Sequence, residues 1–407
     1  MLGPCLSWTA LIIERIWWNC RTRIKCKPVR RSCRNGGLLH RASVLAALSF
    51  QSITLTQFMN EQKTVLVTAC GSSIGLEVLR SLHQANLPIR VIGTEVSWWG
   101  KQVADPYCDQ VLLLPRGDAP GYLDAIHDTI AQFQAELVFV NTEPELEAIV
   151  DSRDDFEVAM SCPGKNGLRA CLSKQVLHDR LAGQGLTAAT IVINAREDLE
   201  RALEKLGSPF WLRCAEGPRG RGSIVVEHAT DGVFWMDYWR RCDPGEDVWL
   251  AHEYLPGRNF NWTSIWRHGE LLAAASGERL KYFLAQVAVS GITGNVSHCQ
   301  LVDSAEITPI ASQAVRLADE TPHGMYAVDL REDVQGIPKI TEINARQAFR
   351  PLLYTQGGIN FSEVFVKAML WGNDSKFEPS AIKVGLEMVR GMDFEPMFRE
   401  VEEQEIS

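Results

Sequence analysis

Tyr326–Arg346, YAVDLREDVQGIPKITEINAR, carries strand character on both sides of the turn-forming run Asp333-Val-Gln-Gly-Ile-Pro338. Strands over Tyr326–Glu332 and Lys339–Asn344 therefore predict a β-hairpin. A turn centred between Gln335 and Gly336 sets Glu332 opposite Lys339 and Asp329 opposite Glu342. Alternation along a strand puts Asn344 on the same face as Glu342. Like charges directly opposite destabilise an ordinary sheet, and a bound cation relieves that cost. An oxygen-only donor set without His or Cys suits Mg²⁺, which takes a few protein oxygens together with substrate phosphates. The alternative is a solvent-facing hairpin whose acids bind no metal.

The chain has 407 residues, enough for two or three domains with cores of their own. A net charge of −9 conceals an asymmetry. Residues 1–58 hold nine Lys/Arg and one acid, Glu14, which leaves 32 basic and 49 acidic residues beyond them, a net of −17. An acidic body is a poor general binder of nucleic acid. An anionic ligand must then be held by a few local positive groups. Of eleven Cys, four (Cys5, Cys20, Cys26, Cys33) lie in the basic leader, and no CxxC or paired metal spacing occurs. The other seven read as reduced core thiols of a cytoplasmic protein. No apolar run reaches membrane-spanning length, so no membrane partner is expected.

Residues 1–58 form an Arg-rich, acid-poor leader that resembles a transit peptide. Met59 opens MNEQKTVLVTACG, a natural start just before a first strand. A disordered extension, or sequence upstream of the true start at Met59, is the preferred reading of the leader.

Residues 59–160 alternate strands and helices, which predicts a parallel sheet covered on both faces. Thr64–Thr68 runs into Gly71-Ser-Ser-Ile-Gly75 and then a helix. This is part of a dinucleotide fingerprint only, since GxGxxG is absent, although a helix N-terminus there can receive an anion. Glu143, in Thr142-Glu-Pro-Glu145, follows the fourth strand, where ligands of open α/β sheets bind. A capped helix start with an acidic first turn is the other reading.

Further on, Leu168–Leu181 reads as one amphipathic helix containing Lys174. Asn194-Ala-Arg-Glu197 has capping-box form and Gly207 closes the helix it opens. Phe210–Cys214 is a strand with one charge, Arg213. Glu216-Gly-Pro-Arg-Gly-Arg-Gly-Ser223 then makes a Gly/Arg flap, with Gly220 and Gly222, able to wrap phosphates with backbone N–H groups and guanidinium forks, or else a mobile basic loop. Val248–Leu255 is a strand ending in Glu253-Tyr-Leu-Pro-Gly257. A hairpin about His268-Gly269, a strand at Gln286–Ser290, helices at Glu306–Glu320 and Asn360–Trp371, and a last strand at Lys383–Val389 complete the pattern. Residues 373–407 supply that strand and an acidic tail.

In this order the pieces resemble the ATP-grasp superfamily, most nearly the carbamoyl phosphate synthetase large-subunit and carboxylate–amine ligase branch. The resemblance runs from about Thr64 to Trp371. It implies an α/β protein: an N-terminal parallel-sheet pre-ATP-grasp domain (59–160), then a two-lobed α+β ATP-grasp domain (161–372) with a lid lobe about 185–247 and a C-terminal lobe about 248–372. It also implies roles. Asp329, Glu342 and Asn344 would hold Mg²⁺ (or Mn²⁺), and Lys174, Arg213, Gly220 and Gly222 would embrace the ATP phosphates. Backbone groups of Glu253 and Leu255 would read the adenine edge, with Tyr254 or Leu255 lining its pocket. Arg346, with its bidentate fork, would face the transferred phosphoryl group or a substrate carboxylate, so that Arg346 and Arg213 are the catalytic pair. Glu143 would face substrate, and Arg350 is either a substrate contact or a plain surface charge. The chain departs from the pattern at Asn259, where the usual acid is missing, and at Asn344-Ala-Arg346 in place of Asn-Pro-Arg. Gln347, Phe349 and Arg350 stand where relatives have small residues.

The implied activity is ATP- and Mg²⁺-dependent activation of a carboxylate as an acyl phosphate for attack by an amine. Two alternatives stay open: phosphorylation of a small carboxylate or carbamate without amide formation, and a nucleotide-binding module without turnover. The expected partners are small-molecule substrates, with a homodimer possible by analogy.

Overall fold

The computed structural model describes residues 62–215, 222–242, 248–289, 291–373, 376 and 381–391. The leader, Gly220 and most of the Gly/Arg flap, Ser290 and the acidic tail lie outside them. Fifteen strands are described: β1 Lys63–Val67, β2 Ile89–Glu95, β3 Gln110–Leu113, β4 Leu137–Phe139, β5 Ala159–Met160, β6 Thr190–Ile193, β7 Phe210–Cys214, β8 Ile224–Val226, β9 Trp249–Glu253, β10 Asn259–Arg267, β11 Glu270–Tyr282, β12 Val296–Val302, β13 Gly324–Glu332, β14 Pro338–Asn344 and β15 Glu387–Val389. The helices are α1 Gly75–Ala85, α2 Trp98–Ala104, α3 Tyr122–Phe133, α4 Glu143–Ile149, α5 Lys165–Leu172, α6 Lys174–Leu181, α7 Glu197–Leu206, α8 Ala229–Cys242, α9 Ile307–Ala318, α10 Pro351–Gln356 and α11 Phe361–Trp371. None is long and apolar enough to cross a membrane.

The strands make three sheets. A five-stranded sheet, order β3-β2-β1-β4-β5, is parallel throughout, as strand–helix alternation requires. A four-stranded sheet, order β6-β9-β7-β8, and a six-stranded sheet, order β14-β13-β10-β11-β12-β15, are antiparallel. The six-stranded sheet is covered on both faces. Trp262, Trp266, Tyr326 and Val328 pack toward α9 and α5, and Ile265, Ala275 and Phe349 pack with Tyr354, Phe361 and Phe365. The buried indoles keep hydrogen-bond partners: Trp262 Nε1 donates to Thr308 Oγ1 at 3.0 Å and Trp266 Nε1 to Ser264 Oγ at 2.9 Å. Each large apolar side chain so buried contributes about 1.5–3 kcal/mol. Phe139, on β4, stacks edge-on against Phe365, which ties the parallel sheet to this core.

The decisive hairpin is β13–β14, with Asp329 opposite Glu342. Its turn end differs from expectation. Arg331 lies opposite Lys339 and Glu332 opposite Pro338, because Thr341 is an extra, bulged residue between the Leu330–Ile340 and Asp329–Glu342 pairs. The expected Glu332–Lys339 pair is therefore absent. Glu332 binds Arg258 instead (2.6 Å), and Lys339 Nζ reaches the Gly185 carbonyl at 3.0 Å.

Three further expectations are corrected. Leu168–Leu181 is two helices, α5 and α6, broken at extended Ser173 (φ −102, ψ 113), whose Oγ accepts from Val176 N and caps α6. No capping box forms on Asn194, because Asp198 Oδ2 takes the N–H groups of Asn194 and Ala195. Residues 285–287 form a 3₁₀ turn, not a strand, and β11 runs on to Tyr282 before β12 begins at Val296.

Candidate active site

Register and alternation aim Asp329, Glu342 and Asn344 from β13 and β14 to one face of the six-stranded sheet. Asp329 Oδ1 accepts from Arg279 Nη2 at 2.6 Å and from Asn261 Nδ2 at 2.7 Å. Both bonds land on the same oxygen, which leaves Oδ2 to a cation. Neither the Glu342 carboxylate nor the Asn344 amide is hydrogen-bonded to a described residue. Three convergent oxygen donors of this kind fit a hard divalent ion. No three His, Cys, Asp or Glu side chains gather into a metal cluster among the described residues, so the set rests on two acids and an amide.

Arg279 was not foreseen. It sits on β11, 10% exposed in its side chain, and its guanidinium also donates to Asn259 Oδ1 (2.9 Å) and the Phe260 carbonyl (3.0 Å). Asn259 passes its amide hydrogen to the Tyr282 hydroxyl at 3.1 Å. The guanidinium lies 5.5 Å over the Phe349 ring. Phe349 adopts φ +60 and presses on Gly277, where a Cβ would stand 2.2 Å from its Cε1. The signal available in the sequence was the Glu278-Arg279 pair closing a run of small residues in AAASGERL.

Positive groups act on Glu342 and on Glu143, which feels the Glu342 charge. Arg213, on β7, feels the Glu342 charge and donates from Nη2 to the neighbouring Thr341 carbonyl at 3.3 Å. Burial nevertheless pulls the Arg213 guanidinium below its usual range. Lys174 opens α6, and Arg346 follows β14 with Nη1 donating to the Gln347 carbonyl at 3.2 Å. Glu143, first residue of α4, reaches the same region. Burial and the Glu342 charge raise its carboxyl above the usual range, and Lys174 and Arg346 pull it back down. The structure thus brings Glu143, Lys174, Arg213, Glu342 and Arg346 into electrostatic contact. The helix start at Glu143 is also capped as its other reading required, by a Thr142–Glu145 box.

On the other strand system, Glu253 gives its N–H to the Ala189 carbonyl at 2.9 Å. Leu255 is buried and its N–H donates to no described residue, which suits a base edge, while Tyr254 is half-buried. Gly222 has φ +66, and its carbonyl accepts from Trp235 Nε1 at 2.7 Å; a Cβ there would meet Cys214 Sγ at 2.4 Å.

Arg350 is no surface charge. It pairs with Glu77 of α1 at 2.7 Å, each side chain 4% exposed, and Glu77 also accepts from Leu352 N at 3.2 Å. The Gly71–Gly75 turn is filled from within. Glu95, at the end of β2, accepts from Gly71 N at 3.0 Å and from Val96 N at 2.8 Å.

No protein-family model and no curated protein matches the chain. Solved structures do match its fold. The biotin carboxylase domain of 2-oxoglutarate carboxylase from Hydrogenobacter thermophilus, a dimer in complex with MgADP, ADP and bicarbonate, aligns with TM-score 0.62 at 13% identity over 81% of this chain and 74% of that one. N5-carboxyaminoimidazole synthetase from Staphylococcus aureus aligns with TM-score 0.57 at 13% identity, covering 78% of each chain. L-amino acid ligase from Bacillus licheniformis gives 0.57 at 16% identity, over 76% of this chain and 75% of that one. The chain has the ATP-grasp fold that the sequence resemblance implied.

Proposed function

We propose that the protein is an ATP-dependent ligase that joins a small carboxylic acid to an amine, releasing ADP and phosphate. The observation that carries this reading is the opposition of Asp329 and Glu342, with Asn344 on the same face, Arg213 acting on Glu342, and Glu143 feeling Glu342 together with Lys174 and Arg346. Arg279 occupies one oxygen of Asp329, and the other oxygen, with Glu342 and Asn344, forms an oxygen donor set of the kind a hard divalent ion takes. The surrounding cations are what a polyphosphate needs.

Asp329, Glu342 and Asn344 would hold Mg²⁺ (or Mn²⁺). When bound, the ion neutralises charge on the transferred phosphoryl group and its leaving group. The chain's own groups do the remaining work. Lys174 and Arg213 neutralise phosphate oxygens, and the backbone N–H groups of Gly220 and Gly222 are proposed to join them. Leu255 N–H and the Glu253 carbonyl meet the adenine edge, and Tyr254 flanks it. Arg346 holds the acceptor carboxylate in line, so that an oxygen of that carboxylate attacks the γ-phosphorus and ADP leaves. The amine then attacks the acyl carbon and phosphate departs. Glu143, a carboxylate beside Arg346, is placed to receive the incoming ammonium and accept its proton. Arg350 acts on structure through Glu77. The lid and C-terminal lobes divide near residue 248, the substrates are small molecules, and the seven cysteines among the described residues, all free, suit a reducing cytoplasm.

The test is Mg²⁺-dependent ADP release across a panel of amino acids and small acids, singly and paired with amines. Release that needs both an acid and an amine supports ligation. Release with an acid alone supports simple phosphorylation, and no release with tight ADP binding leaves a sensor.

A further inference from the structure

Arg213 is held from behind by a hydrogen-bonded line that starts at His252. The Arg213 Nε–H donates to His252 Nε2 at 3.1 Å. A guanidinium only donates, so Nε2 must present its lone pair. The ring proton then resides on Nδ1, 2.8 Å from Thr190 Oγ1, and the Thr190 hydroxyl donates onward to the Ala188 carbonyl at 3.1 Å. Each donor in the line has one acceptor, and only this neutral tautomer satisfies all of them. The sheet fixes the line, because His252 lies opposite Thr190 on β6 and opposite Trp211 on β7. The other end of the guanidinium is tied to the Thr341 carbonyl.

We propose that His252 is a positioning residue, whose Nδ1–H tautomer holds the Arg213 guanidinium in the pose that meets the nucleotide phosphates. This rests on the reading of Arg213 as a phosphate ligand. A protonated ring would lose its acceptor and set a second cation 3.1 Å from the guanidinium. The charged and titratable groups that act on the ring are Arg213 and His178, with Glu342 acting on Arg213 itself. Burial, then Arg213, then His178 hold the imidazolium well below its usual range, so the ring stays neutral at pH 7.

The experiment measures MgADP affinity of the full chain at pH 7.5 for wild type, His252→Gln and His252→Leu. Side-chain ¹⁵N spectra accompany it, with the His252 signals identified by their loss in His252→Gln. Gln keeps an oxygen for Arg213 and an N–H for Thr190, so its Kd stays within about twofold of wild type. Leu keeps neither and weakens binding about tenfold, the scale of one lost hydrogen bond to a charged group. In an Arg213→Met background, His252→Leu costs nothing more. The spectra show a bare Nε2 and a protonated Nδ1 at pH 7. Wild-type affinity in His252→Leu, an equal further loss in the Arg213→Met background, or a doubly protonated ring at pH 7 would each overturn the proposal. Failure of wild type to bind MgADP overturns the ligase reading and this inference together, whereas binding by wild type that His252→Leu leaves unchanged overturns this inference alone.

Discussion

Arg279 Nη2 stands 2.6 Å from Asp329 Oδ1, so the acid opposite Glu342 already has a permanent counter-charge. That pair explains how two carboxylates tolerate facing positions before any ion arrives. Arg279→Met should lower stability by about 3 kcal/mol in Mg²⁺-free buffer, the cost of stripping a mostly buried carboxylate of its partner. Added Mg²⁺ should restore part of that loss by mass action, giving a larger rise in melting temperature than in wild type. Equal Mg²⁺ responses in the two proteins would separate Asp329 from the metal.

Glu342→Gln keeps the shape of β14 and removes a charge. ADP release should fall by about 10²–10³-fold, the range for a lost electrostatic stabiliser. Circular dichroism and melting temperature should hold. Near-wild-type turnover would refute the oxygen-donor assignment.

Glu77 and Arg350 bind α1 to the chain leaving β14 through a buried ion pair. Glu77→Ala should cost about 3–5 kcal/mol, because it strands a buried guanidinium. Glu77→Ala with Arg350→Met should recover much of it. Denaturant titration decides the matter, and additive losses would mean that the two side chains do not work as a pair.

The Glu143 carboxyl is raised above its usual range by burial and by Glu342. A raised acid favours folding in its protonated form. That contribution is complete below the unfolded-state value and is lost as pH climbs through the folded-state value. Glu143→Gln should therefore melt higher than wild type at pH 7.5, with the gap closing as pH falls toward the ordinary carboxylate range. The same substitution should impair turnover. Melts across pH that run parallel for both proteins would contradict the assignment.

Gly277 gives its missing side-chain volume to Phe349. Gly277→Ala should cost about 1–3 kcal/mol through overpacking and should displace the ring beneath Arg279. A joint loss of stability and Mg²⁺-dependent ADP release is expected. Phe349→Leu in the same chain should relieve the stability loss, as thermal melts would show.

Local pattern made the hairpin legible, and two errors made its key pair correct. The pairing at the turn lies one residue from the expected register, and the bulge at Thr341 adds one residue back, so Asp329 still meets Glu342 while Glu332 and Lys339 part. Bulges leave no mark in residue alternation. The break at Ser173 was hidden for a related reason: apolar spacing runs through it, and only its extended backbone and the cap on Val176 reveal it. Arg279–Asp329, Arg213–His252 and Glu77–Arg350 join residues 39 to 273 positions apart. Charge pairing at such separations is decided by sheet order, which no single stretch encodes. Lys174, Arg213 and Arg346 stand out in the sequence through the family resemblance; the pattern alone puts Arg213 on a strand and hides the helix start at Lys174.

The seat that Glu95 takes against Gly71 and Val96 has a consequence for labelling. A carboxylate bolted into that socket repels any triphosphate at the amino-terminal turn, so a photoreactive adenine analogue should tag only peptides downstream of α4. On the proposed ligase reading, the parallel sheet then serves as a footing whose own Gly71 turn takes no nucleotide.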